Sequence, residues 1–162
     1  MKKNNLQILI IILLLFISAA GTILAHEHRP PHNGTLVEFG EEFAHLELLL
    51  EPDSGKLTGY VLDGEAENPV RLKQSSIRLK LKIDGRPLLL NLKAVASPLT
   101  GEVKGDTSEF FAVSKKLKSA QQFSGTVLLI KVKGETFRNV DFKYPEGNEV
   151  KKAGDAGQEK SK

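Results

Sequence analysis

The chain has 162 residues, none of them cysteine or tryptophan, and only 6% are aromatic. Without cysteine there is no disulfide framework, no thiol nucleophile and no bacterial lipid-anchor site, so burial alone must hold the fold. Charge of one sign is also missing. Lys2 and Lys3 are the only charged residues before His26, so the overall +3 falls to 21 basic against 20 acidic residues, or +1, from residue 26 onward. The Lys and Arg residues are dispersed among acids, with few aromatics to stack on bases, which argues against nucleic acid as a partner. Helical periodicity is scarce, and only Ser114–Gln122 suits a turn or two of helix. There is no nucleophile elbow, and no pair of acids placed for acid–base work. The sequence therefore reads as a binding protein and not an enzyme.

What is present begins with an address. Met1-Lys2-Lys3 is a short positive start, and Leu6–Ile17 is an apolar run broken only by Gln7. The small residues Ser18-Ala19-Ala20-Gly21 and then Thr22-Ile23-Leu24-Ala25 follow. This is the grammar of a signal peptide over residues 1–25, with cleavage after Ala25 or, alternatively, after Ala20. Uncleaved, Leu6–Ala25 is just long enough to act as a membrane anchor. Either way the remainder is delivered outward, giving a periplasmic or secreted protein or one anchored in the inner membrane and facing the periplasm. Membrane contact is expected only through the uncleaved segment.

Residues 26–33, His-Glu-His-Arg-Pro-Pro-His-Asn, form an arm that its paired prolines keep extended. Residues 145–162 are rich in Gly, Lys and Glu and read as a disordered tail. Between them, residues 34–144 carry short alternating or β-branched runs at about 34–39, 43–50, 56–63, 69–73, 76–83, 87–94, 108–113, 125–132 and 135–143. Ile77, Leu79, Leu81 and Ile83 alternate with Arg78, Lys80 and Lys82, giving one dry and one wet face. Asp84-Gly85 suits a two-residue hairpin turn, after which Leu88, Leu90 and Leu92 resume the apolar face. Val127–Val132, Lys133-Gly134 and Glu135–Phe142 repeat this design. These runs predict an all-β domain: an antiparallel immunoglobulin-like β-sandwich of about seven to nine short strands, or alternatively a small open β-barrel.

The histidines carry the functional signal. His26, His28, His32 and His45 are all there are, and the chain from Leu46 onward has none. Imidazole suits copper, nickel, zinc and cobalt, and Glu27, Glu38, Glu41, Glu42 and Glu47 add carboxylates to the same stretch. Cleavage after Ala25 would leave a new amino terminus at His26-Glu27-His28. Its amine, backbone nitrogens and the His28 imidazole could then form a square-planar nitrogen set for Cu(II) or Ni(II), with His26 as a further donor. A second set lies on a strand: His45 and Glu47, two apart, point the same way, and a turn near Gly40-Glu41 would bring His32 toward Glu47. Each feature also has a plain structural reading, an exposed polar arm and a solvated strand-face pair. Asn33-Gly34-Thr35 fits a glycosylation sequon but equally a turn, and Asp53-Ser54-Gly55-Lys56 is a hairpin loop without the glycine spacing of a phosphate loop.

Pro31-His32-Asn33-Gly34-Thr35-Leu36-Val37-Glu38-Phe39-Gly40, then Ala44-His45-Leu46-Glu47-Leu48 and Gly59-Tyr60-Val61-Leu62-Asp63, together resemble a small exported domain associated with bacterial heavy-metal efflux of the RND type. That group opens on a Pro-His-Gly-Gly-like motif followed by a His-x-Glu strand and a Tyr-x-x-Asp strand; Asn33 stands here where a glycine is common. The resemblance covers residues 31–70 and implies metal handling beside a periplasmic adaptor or another efflux component. The competing expectation is an envelope structural or protein-interaction module whose histidines are incidental.

Overall fold

A computed structural model of the protein describes residues 29–148; the expected signal peptide over residues 1–25, His26, His28 and residues 149–162 lie outside them. The expected all-β class holds. Eight strands form: β1 (Thr35–Phe39), β2 (Ala44–Glu51), β3 (Lys56–Leu62), β4 (Ser76–Ile83), β5 (Arg86–Ala94), β6 (Glu109–Val113), β7 (Phe123–Val132) and β8 (Glu135–Tyr144). All pairings are antiparallel, in one sheet of order β1-β2-β3-β6-β5-β4-β7-β8. The architecture is thus the nearly closed barrel named second, not the two-sheet immunoglobulin-like sandwich named first. The alternation that marks a half-buried strand is the same in both, because each has one dry face per strand.

The faces are as the sequence implies. Ile77, Leu79, Leu81 and Ile83 point inward with Leu90 and Leu92, while Arg78, Lys80 and Lys82 are exposed. Asp84-Gly85 and Lys133-Gly134 have positive φ at both central positions, as tight hairpins require. The run at 69–73 forms no full strand. It contributes only isolated bridges, Leu62↔Pro69 and Leu72↔Thr107, because Pro69 lacks a donor and the segment is crossing toward β4.

Two crossovers close the barrel ends. The β3–β4 connection carries the buried Leu72 over one end. The β6–β7 connection carries a single 3-10 turn at Lys115–Leu117, capped by Ser114, whose buried Leu117 fills the other. That turn is all that forms of the helical expectation at 114–122. Among the described residues no helix is long and apolar enough to cross a membrane.

The seam between β1 and β8 is closed by residues read as tail. Gly147 and Lys143 exchange backbone bonds of 2.7 and 3.0 Å, turning the chain back beside β1. There the Asn148 amide accepts from Glu38 N–H at 2.7 Å and donates to Glu38 C=O at 3.2 Å, imitating one rung of a ladder. Thr35 Oγ1 donates to Pro145 C=O at 3.0 Å, and Phe137 packs against Phe39 and Phe43 with centroids 5.6 Å apart in each case. Composition does not reveal this docking, since it rests on polar groups and not on an apolar anchor.

Candidate functional site

Strand β2 is buried on both faces. Its inward residues Ala44, Leu46, Leu48 and Leu50 join the main core, but His45 and Glu47, which face outward, are also fully buried. Two segments cover them. Residues 63–68 fold back so that Ala66 packs on Leu36 and Leu62 in a small second core outside the barrel, and residues 30–34 lie over Glu47.

The second cover is a latch of definite geometry. Asn33 N–H donates to Pro30 C=O at 3.1 Å, and Asn33 takes φ +55°, a left-handed conformation that asparagine tolerates in place of the more usual glycine. The turn aims two backbone donors at one oxygen: His32 N–H at 2.9 Å and Gly34 N–H at 2.8 Å both reach Glu47 Oε1. His32 Nδ1 reaches Glu47 Oε2 at 2.8 Å. A carboxylate buried without partners costs several kcal/mol, roughly, so these three donors are what make its burial tolerable. Only glycine fits at position 34, where a Cβ would stand 2.7 Å from Glu47 Cγ and 2.8 Å from Leu48 C=O.

The imidazole of His32 is held from two directions. Its ring stacks on Tyr60 with centroids 3.8 Å apart and 12° between planes. Tyr60 stands opposite Glu47 in the β2–β3 register. Burial, then the charges of Glu109, Glu47 and Glu51, push the Tyr60 phenol above its ordinary range. Because an ionised carboxylate only accepts, the His32–Glu47 bond places the ring proton on Nδ1. The side chain stays 40% exposed, and Nε2 makes no hydrogen bond among the described residues.

His45 is placed differently. Its Nδ1 donates to the backbone C=O of Asp63 at 3.0 Å, tying β2 to the covering loop. Asp63 organises that loop, accepting from Glu67 N–H at 3.0 Å, Asn68 N–H at 3.2 Å and Asn68 Nδ2 at 2.7 Å. Burial alone would raise the Asp63 carboxyl, but these bonds and nearby Lys133 outweigh it and hold the group below the usual carboxylate range.

The structure therefore brings His32 and Glu47 together and leaves His45, Glu47's neighbour on the same strand face, in a separate contact. The three do not gather into one ligand set, and no group of three or more potential ligands occurs among the described residues. His26 and His28 lie outside those residues. Sequence reasoning overlooked Tyr60 and Asp63 as partners of the two histidines. The signal for Tyr60 was available: the Asp53-Ser54-Gly55 turn pairs Glu51 with Lys56, and counting back along both strands puts Glu47 opposite Tyr60.

Comparisons with protein-family models, with curated proteins and with solved structures return no match for this chain.

Proposed function

We propose that the protein is an exported, non-catalytic metal-binding accessory that captures a divalent transition ion and passes it to an efflux component in the periplasm. The observation that carries this reading is the posture of His32. A carboxylate on Nδ1 and an aromatic plate beneath the ring leave Nε2 as the outward nitrogen, and a carboxylate oriented in this way raises the basicity of an imidazole toward metal. One imidazole is a weak site, so the remaining donors are His26 and His28, which lie in the same arm within seven residues of one another and His32. Nitrogen donors of this kind suit Cu(II), Ni(II), Zn(II) or Co(II). In this arrangement Glu47 and Tyr60 position the ligand and do not touch the ion, and His45 supports the fold through Asp63. The resemblance of residues 31–70 to domains associated with heavy-metal efflux supports the same role.

The test is a titration of Cu(II), Ni(II) and Zn(II) against the exported protein, with its amino terminus sequenced, alongside His32→Ala and His26→Ala/His28→Ala variants. Both variants are expected to lose affinity by tenfold or more, about 1.4 kcal/mol. If the unaltered protein holds each metal no more tightly than free histidine does, the reading is wrong and an envelope interaction module takes its place.

A further inference from the structure

The outward residues of β4, β7 and β8 make a wall of a different character. Arg78, Lys80 and Lys82 project from β4, all exposed. The registers continue these rows across the sheet, Lys82 to Ser124 to Lys143 and Lys80 to Thr126 to Asp141, and Arg138 stands on β8 in the row beyond. A shallow groove of about 860 Å³ runs here, bordered by Lys80, Lys82, Ser124, Thr126, Lys143 and Asn148. Its one acid, Asp141, is engaged by the Thr126 hydroxyl at 2.6 Å. None of the three lysines has a salt-bridge partner among the described residues, where the ion pairs lie elsewhere on the domain. Arg78, Lys80 and Lys82 follow one another along one face of β4, and Lys143 stands two strands away across Ser124, so the wall carries an excess of positive charge that an anionic surface would complement.

We propose that this wall docks on a membrane surface of anionic phospholipid headgroups. The chemistry separates this occupant from a protein. Protein interfaces are depleted of lysine at their centre and are anchored by buried aromatic residues. Here lysines occupy the centre, and of the large apolar side chains that are exposed only Leu89, 65% exposed and paired with Lys80 on β5, belongs to this wall. Lysine ammoniums on flexible stems, hydroxyl donors between them and a single leucine able to enter the headgroup layer match a phosphate-bearing surface. The order of the eight strands sets β4 four places from β2, the strand whose outer face carries Glu47 under the His32 latch, and so on the opposite side of the barrel. A negative surface would therefore orient the domain with its basic wall down and the His32 side away. This inference is independent of metal binding.

Lysine labelling of the full chain with an amine-reactive reagent, read by mass spectrometry, tests it. With vesicles containing phosphatidylglycerol, labelling of Lys80, Lys82 and Lys143 falls several-fold relative to pure phosphatidylcholine vesicles, while Lys56 and Lys115, away from this wall, are labelled as before. The protection disappears as salt shortens the screening length from about 30 Å at 0.01 M to about 3 Å at 1 M. In a Lys80→Glu/Lys82→Glu/Lys143→Glu variant, affinity falls about hundredfold, roughly fivefold per lysine, and Lys131, exposed on β7 opposite Thr136 and protected by the same vesicles in wild type, loses its protection too. These positions are exposed, and a glutamine version at the same sites separates charge from folding. Equal labelling with the two vesicle types overturns the proposal. So does protection that grows with protein concentration without vesicles, which would assign the wall to a second copy of the chain.

Discussion

Replacing Glu47 by alanine removes the acceptor on which the latch is built. The side chain is fully buried and takes the His32 and Gly34 backbone donors on one oxygen and the His32 ring on the other. A buried donor that loses its partner costs about 1–3 kcal/mol. The 40%-exposed ring of His32 can turn to water, so the loss falls on the two backbone amides and amounts to about 2–6 kcal/mol. Glu47→Gln keeps an oxygen for both amides and offers an N–H that the ring accepts once its proton moves from Nδ1 to Nε2, so charge assistance is the main loss, about 1 kcal/mol. Urea unfolding at neutral pH should place the alanine midpoint lowest, the glutamine midpoint between, and wild type highest. For a domain with a slope of about 2 kcal/mol/M, the alanine shift is on the order of 1–3 M. Hydrogen exchange supplies the local readout, since the His32 and Gly34 amides should be protected in wild type and lose protection in the alanine variant. Were those amides to exchange freely in wild type, or were alanine to prove no worse than glutamine, the latch would have no energetic content and the reasoning about residues 30–34 would fail.

Two further outcomes follow from the same accounting. Asn148→Ala removes both bonds to Glu38 and should cost about 1–2 kcal/mol, with exchange accelerated at the Glu38 amide and unchanged at Leu79; unaltered exchange at Glu38 would mean the seam is closed otherwise. The Glu102 carboxyl should make the fold acid-sensitive. Burial raises it, but the hydroxyl and amide of Ser108, the hydroxyl of Thr100 and the charge of Arg71 together hold it below its ordinary value. Its stabilisation is then complete above the unfolded-state value, about 4.3, and is lost as pH falls through the lower folded-state value. Glu102→Gln should accordingly be less stable than wild type at pH 7, with the gap narrowing below about pH 4 in urea titrations; a gap independent of pH would remove the carboxylate from the explanation.

Much of the barrel was legible because its signals are local. The alternation of β4, the Asp84-Gly85 turn and its echo at Lys133-Gly134 depend only on side-chain period and on φ, and eight of nine anticipated runs became strands. Whether those strands form two sheets or one was not legible. That choice rests on β6 pairing with both β3 and β5 and on residues 145–148 meeting β1, contacts between segments far apart in the chain. The histidines divide along the same line. That all four imidazoles lie before Leu46, with carboxylates among them, is a property of the sequence. That Glu47 is satisfied by the turn at Asn33 while His45 turns to Asp63 follows from two covering segments, which no spacing rule describes.

By itself, then, the sequence determined the all-β class, the faces of the hairpins and the histidine-bearing arm, because each follows from residue type at short range. Only the tertiary structure decided closure into a barrel, the seating of His32 against Glu47 and Tyr60, and the gathering of lysines from β4 and β8 on one wall. These depend on which strands become neighbours, and that is settled by burying the whole core at once.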